Sequence, residues 1–203
     1  MKNNNGYWNK VYETGYIPKN PSQFAAFTLN ELSSDELKII DIGCGNGRDS
    51  SFFGMFGKKV IGLDASPTVI EINKAQNKNK NVDFIEFDFS KDISQYFSEK
   101  IDVVYARFFF HSITNEVQEK VFTEINKISS KESRIFAEFR TERDEEKPKT
   151  AAQHFRRFVN SAVFSASLDK FGYDIEYMIE GSGFAKYKNE DAHVCRIIAK
   201  RRS

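Results

Sequence analysis

The stretch KIIDIGCGNGRDS, Lys38 to Ser50, decides how the rest of the chain is read. Its apolar head, LKIIDI from Leu37 to Ile42, has the β-branched character of a buried strand, and GRDSSFFGMF behind it has a helical pattern. Between them, glycine recurs at every second position, at Gly43, Gly45 and Gly47. Each glycine costs backbone entropy on folding, so three together imply a turn that needs left-handed freedom or close approach to its backbone. In open α/β sheets, ligands bind beyond the carboxyl ends of the strands. The glycines stand at such an end.

Outward from this turn, short apolar runs alternate with helical patterns. KVIGLD (Lys59 to Asp64), VDFIEFD (Val82 to Asp88), IDVVYAR (Ile101 to Arg107) and SRIFAEFR (Ser133 to Arg140) read as strands two to five. SPTVIEINKAQ reads as a helix capped by Ser66 with Pro67 at its first position. A short helix falls near DISQYF. TNEVQEKVFTEINKIS carries Val117, Val121, Phe122, Ile125 and Ile128 at helical spacing. AAQHFRRFVNSAVFSASLDKFG predicts a long helix closed by Gly172. YDIEYMIEG and AHVCRIIAK predict two last strands, paired antiparallel. Strand alternating with helix implies a doubly wound α/β sheet with right-handed crossovers. About 36 aromatic-rich residues before the first strand and the charged segment TERDEEKPKTAAQ interrupt the pattern, and long loops of this kind tend to carry function.

Bulk composition narrows the function class. With 40% hydrophobic residues and 20 Phe in 203, the chain can fill one sizeable core. Thirty basic against 29 acidic residues, net +1, leave no whole-chain footprint for nucleic acid or membrane. No apolar run approaches the ~20 residues of a membrane span. The opening MKNNNGYWNKVYETG lacks a signal peptide's apolar stretch. Two cysteines, Cys44 and Cys195, make neither a disulfide framework nor zinc spacing, which points to the cytoplasm and to no metal.

The neighbours of the glycines sharpen the chemistry. The dinucleotide fingerprint is G-x-G-x-x-G, whereas here it is G-x-G-x-G with Asp41 two residues ahead. A carboxylate there suits an ammonium group, or ordering of the turn, better than a pyrophosphate. Asp64 ends the second strand, where an acid can accept both hydroxyls of a ribose. Asp88 ends the third, where it can meet an adenine amine. Three acids at successive strand ends describe a site for a cationic, ribose-bearing ligand without phosphate.

DIGCGNG, VIGLDAS and FIEFDFS together resemble the first three motifs of the class I S-adenosylmethionine-dependent methyltransferases, and IDVVYARFFFHSI is similar to their fourth segment. The likeness runs from about residue 36 to 140. It implies a Rossmann-like, mostly parallel seven-stranded sheet in the order 3-2-1-4-5-7-6 with strand 7 antiparallel. It implies S-adenosylmethionine as cofactor, held by Trp8, Asp41, Gly43, Cys44, Gly45, Arg48, Asp64, Ala65, Asp88, Phe89 and Ala106. YWNKVYETGYIP resembles the opening of tellurite-resistance and thiopurine-type methyltransferases, in which an aromatic segment folds over the cofactor, although Lys19 follows Pro18 where those proteins have Trp. YARFFFHSI, FRTERD and GSGFAKYKNEDAHVCRIIAK are similar to methyltransferases of bacterial surface-polysaccharide synthesis. The chain is accordingly expected to be one methyltransferase domain: a cofactor-covering cap at 1–35, a core at 36–140 and an acceptor side at 141–203.

Single residues carry paired readings. Arg48 either binds the cofactor carboxylate or sits on the exposed start of a helix. Cys44 reads as a small buried residue. His111 is either a general base or a packing histidine. His154 either contacts acceptor or lies on a helix surface beside Arg157 and Phe158, and His193 reads as structural. Arg107, Arg140, Arg143, Arg156 and Arg157 either grip an anionic acceptor or are neutralised by Glu138, Glu142, Asp144, Glu145 and Glu146. Of these, Arg107, Arg140, Arg143, His154 and Arg157 are the expected acceptor-binding set. Trp8, Tyr7, Tyr12 and Tyr16 either cover the cofactor or pack on the sheet. The leading expectation is a methyltransferase for a small, anionic acceptor, phosphorylated, carboxylated or sugar-linked. The alternatives are a non-catalytic binder of the cofactor and a nucleotide-dependent oxidoreductase. A homodimer stays open. The Asn/Asp-Pro-Pro-aromatic motif of amino-methylating DNA enzymes is absent after the fourth strand, where ARFF stands.

Overall fold

A computed structural model describes residues 18–35, 37–147 and 155–203. Its elements are α1 (Gln23–Glu31), β1 (Lys38–Ile42), α2 (Arg48–Met55), β2 (Lys59–Asp64), α3 (Pro67–Gln76), β3 (Val82–Glu86), β4 (Ile101–Arg107), α4 (Asn115–Ile128), β5 (Ser129–Arg140), α5 (Ser161–Lys170), β6 (Tyr173–Gly181), β7 (Lys186–Tyr187), β8 (Glu190–Asp191) and β9 (Val194–Arg201). Seven strands form one sheet in the order β3-β2-β1-β4-β5-β9-β6. β1 to β5 run parallel, and β9 lies antiparallel between β5 and β6. With the β7–β8 hairpin set aside, this is the order 3-2-1-4-5-7-6.

Side chains alternate across the strands and feed two cores, one on each face. Ile40, Ile42, Val104 and Ala106 join Val121, Phe122, Ile125 and Ile128 of α4 and Phe164 and Leu168 of α5. Ile39, Val103, Tyr105, Phe136 and Ile198 pack instead under Phe24 of α1, Phe53 of α2 and Val69 and Ile70 of α3. Burial on both faces explains why these strands read as nearly continuous apolar runs. Helix starts follow side-chain chemistry: Ser22, Ser66, Thr114 and Asn160 each accept a first-turn backbone N–H.

Four expectations change. Of the long helix predicted over 151–172, the described residues 155–172 are α-helical from Ser161 to Lys170. Ahead of it the backbone bonds distant partners: Arg157 N–H donates to the His111 carbonyl in the turn after β4 (2.7 Å) and Val159 N–H to the Arg140 carbonyl at the end of β5 (3.1 Å). Arg157 and Phe158 therefore share no helical turn. β5 begins at Ser129, four residues early, where Ser129 pairs with Ile101 before a bulge. β3 stops at Glu86, so Asp88 lies two residues beyond it. DISQYF makes a single 3-10 turn, Ser94–Tyr96. The sequence reading also had no β7–β8 hairpin.

Candidate active site

The glycine turn is built as its spacing demands. Gly43, Gly45 and Gly47 all have left-handed φ, at 74°, 54° and 68°. A Cβ at Gly43 would stand 2.8 Å from the Phe109 ring, and one at Gly47 would stand 2.5 Å from Phe84 Cζ. These positions need glycine for both conformation and space. The Gly43 and Cys44 amides donate to the Leu63 carbonyl at 2.8 and 2.9 Å, pinning the turn to the end of β2. Asn73, on α3, donates to the Gly45 carbonyl (2.7 Å), a tie that the sequence reading missed.

The three acids divide the work differently from expectation. Asp64, not Asp41, orders the turn: its Oδ2 accepts the Gly45 amide (3.0 Å) and its Oδ1 the Ser66 amide (2.9 Å). The Ala65 amide also bonds this carboxylate, which draws three backbone donors onto it. Burial pushes the Asp64 carboxyl up, against the pull of those amides. Asp41 is only 2% exposed and accepts from Ser50 Oγ (2.6 Å), so it lies beneath the turn and does not open toward an ammonium group. Its desolvation, with Asp49 and Asp64 nearby, pushes it up to about 8. Asp88 is exposed, and the Ser90 amide (2.9 Å) holds it below the usual carboxylate range.

Other expected cofactor residues sort by burial. Ala65 is half-buried next to Asp64. Phe89 packs against Phe87 and Phe109, and Ala106 is fully buried, so both side chains belong to the core. Cys44 is buried, and desolvation raises its thiol well above its ordinary value, which removes it as a nucleophile. Arg48 does not lie on an open helix start. Its side chain is 16% exposed, donates to the Asn20 carbonyl (3.2 Å) and stands 3.8 Å from Asp49. Trp8 and the tyrosines at 7, 12 and 16 lie outside the described residues, as does His154.

On the acceptor side the arginines are largely engaged, contrary to the expectation of a free cationic cluster. Arg107 Nε and Arg196 Nε donate to the two oxygens of Glu138, at 2.9 and 2.8 Å, and Glu138 has no exposed surface. Burial opposes the charge of Arg107, but Glu138 outweighs it and the group is held above its ordinary value. Arg140 donates to Asp144 (2.6 Å) and to Glu190. Arg143 is 77% exposed, 3.8 Å from Glu180. Arg157 bonds Gln118 (2.5 Å), the Phe110 carbonyl (3.0 Å) and Asn115. Arg156 is half-buried.

His111 is 4% exposed on a single turn after β4. Its Nδ1 accepts the Arg140 amide at 3.3 Å. That bond assigns the proton of the neutral ring to Nε2, which makes the ring a donor and not the expected base. His193 is held by Thr141 Oγ1 at 2.7 Å, consistent with a structural part.

Three further residues shape the site, of which Asp49 was not anticipated and Glu138 was named only among the acids that could neutralise the arginines. Asp49 accepts the Ser22 amide (2.7 Å), Ser22 Oγ (2.7 Å) and Tyr105 Oη (2.8 Å), tying the entry of α1 to α2 and β4. Its signal was an acid in the first turn of α2, a common and unspecific feature. Glu138 stands at a core position of an alternating strand, which a stricter parity count would have exposed. Phe108 has a left-handed φ of 57°, rare for a bulky residue. Its ring lies 4.2 Å from the Arg107 guanidinium, 5.4 Å from that of Arg140 and edge-on to His111 at 5.1 Å. Phe108 and Phe184 pack against Ala185, Ala192 and Val194, an apolar wall beside the β7–β8 hairpin.

Residues 33–182 match the family model described as a methyltransferase domain. The chain belongs to this family. It is a class I S-adenosylmethionine-dependent methyltransferase in fold and cofactor class, and the oxidoreductase alternative is set aside. An uncharacterised methyltransferase of Schizosaccharomyces pombe is 28% identical over 146 residues, covering 70% of this chain and 93% of that protein. A 2-heptyl-1-hydroxyquinolin-4(1H)-one methyltransferase of Mycobacteroides abscessus is 26% identical over 124 residues, 54% of each chain. Among solved structures, an S-adenosylmethionine-dependent methyltransferase from Anabaena variabilis superposes with a TM-score of 0.75 at 20% identity, covering 100% of this methyltransferase and 96% of that chain. No helix among the described residues is long and apolar enough to cross a membrane.

Proposed function

We propose that this methyltransferase acts on a small, mainly apolar aromatic molecule through an acidic hydroxyl. The observation that carries the acceptor half is the ion pairing of the strand-end arginines. A phosphorylated or sugar-phosphate acceptor, suggested by the arginine count, would have to break the buried Arg140–Asp144 and Arg140–Glu190 pairs. What the acceptor side offers instead is the Phe108, Phe184 and Val194 wall with His111 as a donor. The hydroxyquinolone named for the M. abscessus relative is of this chemical class.

The donor half rests on the glycine turn, whose left-handed residues leave room for a ligand against the backbone, and on Asp64. S-adenosylmethionine supplies a methyl group on a positively charged sulfonium. The chain's task is to place an acceptor oxygen in line with it at near-attack distance and to exclude water. Asp64, half-buried at the end of β2 beside the glycine turn, binds the ribose, and Asp88, outside β3, meets the adenine edge. An acceptor acidic enough to ionise near neutral pH needs no strong base. A hydrogen bond from His111 Nε2–H then orients the already ionised acceptor oxygen toward the methyl carbon, and the oxygen's charge is neutralised together with the sulfonium's as the new C–O bond forms and the C–S bond breaks.

The test has two arms. Calorimetry should show S-adenosylhomocysteine binding, weakened about tenfold or more by Asp64→Asn, which keeps the shape but removes the charged acceptor. Transfer of labelled methyl should favour hydroxylated heteroaromatics over sugar phosphates. Absence of cofactor binding would leave neither half standing. Cofactor binding without any transfer would favour a non-catalytic binder. Preference for sugar phosphates would overturn the acceptor class alone.

A further inference from the structure

We propose that Glu190 of the β7–β8 hairpin is a positioning residue for the acceptor: its ion pair with Arg140 seats the hairpin so that the apolar wall closes on the acceptor beside His111. The inference rests on the acceptor half of the proposed function.

Arg140 is where the parts of the acceptor side meet. It is the last residue of β5, and across the β5–β9 ladder it pairs with Val194, a member of the wall. Its backbone amide donates to His111 Nδ1 at 3.3 Å. Its guanidinium carbon stands 5.4 Å from the centre of the Phe108 ring. One arm of the guanidinium donates to Asp144 Oδ2 at 2.6 Å, and the other donates to Glu190 Oε1. Asp144 is itself fixed, because it has no exposed surface and its other oxygen accepts the His193 amide at 2.8 Å. A planar guanidinium held on one arm has a set direction on the other, so the place of Glu190 is set with it.

The hairpin depends on such a seat. Among the described residues, β7 and β8 pair with each other and not with the seven-stranded sheet, so its ladders do not set where they lie. Lys147 takes the Asp191 carbonyl and Arg196 the Phe184 carbonyl, and both of these ties reach only the backbone. The Glu190 side chain carries β8 itself onto the sheet, and in this pair the two side chains are 9% and 7% exposed. A buried ion pair adds little stability over an apolar contact of the same shape, and what it fixes is one geometry. That geometry decides the wall. Ala185 stands directly before β7 and Ala192 directly after β8, and both are buried in the cluster that takes in Phe108 and Phe184. Unseated at Glu190, the hairpin would carry Phe184, Ala185 and Ala192 off Phe108 and admit water to the acceptor. The glycine turn and β1 to β3 would be unaffected.

The test uses the full chain and Glu190→Gln, which keeps the length of the side chain and removes its charge. Hydrogen exchange needs no ligand. Uptake by residues 184–192 should quicken about tenfold in the variant while that of β1 to β3 stays as in the wild type. Unchanged exchange at 184–192 overturns the seat. In methyl transfer to a hydroxyquinolone probe, KM should rise by about tenfold with kcat within about twofold, and the Kd of S-adenosylhomocysteine should not move. An unchanged KM overturns the positioning role, as does a Kd that rises with it. Phe184→Ala supplies the coupling. If Glu190 acts through the wall, the double variant should raise KM no further than the larger single change, and effects that multiply overturn the proposal. If Glu190→Gln fails to fold, Glu190→Asp, which keeps the charge but shortens the reach, takes its place in all three measurements. A wild type that transfers no methyl to the probe refutes the acceptor half of the proposed function instead, and the exchange result still decides the seat.

Discussion

Asp41→Asn should stabilise this methyltransferase at neutral pH, and the gain should vanish in acid. The Asp41 carboxyl is buried beneath the glycine turn, bonded to Ser50 Oγ, with Asp49 and Asp64 nearby. Its folded pKa is pushed up to about 8, against 3.8 for the ordinary side chain. Between those values the folded chain keeps a proton that the unfolded chain has lost. Folding therefore takes up a proton, and stability falls as pH rises through the window. The slope is about 1.4 kcal/mol per pH unit, so by pH 7 the accumulated cost is roughly 4 kcal/mol at full effect. That is a large share of the 5–15 kcal/mol typical of a domain. An amide has the carboxyl's shape, can still accept from Ser50 and does not titrate. Urea denaturation followed by circular dichroism at pH 5, 6, 7 and 8 should show curves that diverge upward in pH, with the variant the more stable. Parallel curves, or a variant less stable at pH 7 to 8, would refute the account of Asp41 as a desolvated acid.

Gly47→Ala combines a left-handed φ with a Cβ 2.5 Å from Phe84 Cζ, and should cost about 2–4 kcal/mol in urea denaturation; a loss below ~1 kcal/mol would mean the turn relaxes. Glu138→Ala strips the buried partner of Arg107 and Arg196 and should destabilise by about 3–5 kcal/mol, read as a lowered Tm, whereas a neutral result would show that water replaces the carboxylate. Phe108→Asn keeps a residue that accepts left-handed backbone, so stability should stay within ~1 kcal/mol while the acceptor KM rises several-fold; an unchanged KM would remove Phe108 from the acceptor wall.

The parts of this fold that were legible in the sequence are those governed by short-range rules. The glycine spacing, Ser66 with Pro67, and the apolar periodicity of Val121, Phe122, Ile125 and Ile128 each act within a few residues, and each appears where it was expected. What was hidden depends on partners distant in the chain. The segment before Ser161 looks helical alone, yet its amides are claimed by His111 and Arg140, more than ten residues upstream. The arginines kept two readings because which acid reaches which arginine is set by the fold: Glu138, one of the acids considered, is 31 residues from Arg107, and Glu190, which was not considered, is 50 from Arg140. Asp41 and Asp64 were both singled out, but the choice of which one orders the turn needed the register of β1 on β2. His111 could be located after the fourth strand, whereas its tautomer depended on a backbone amide from β5.

The β7–β8 hairpin leaves the sheet at Gly181 and returns at Val194, two residues paired with each other across β6 and β9. Any change between them leaves the ladder of the sheet in register. The hairpin's ties run to β5, to residues 141–147 and to β9: Glu190 on Arg140, Ser182 Oγ and the Asp191 carbonyl on Lys147, His193 on Thr141 and Asp144, and the Phe184 carbonyl on Arg196. It therefore behaves as a cassette. Residues 182–193 can be lengthened, shortened or exchanged for another loop while the donor half, at the far strands β1 to β3, goes untouched. Which molecule receives the methyl group can thus drift by loop replacement, with no need to reinvent the machinery that delivers it.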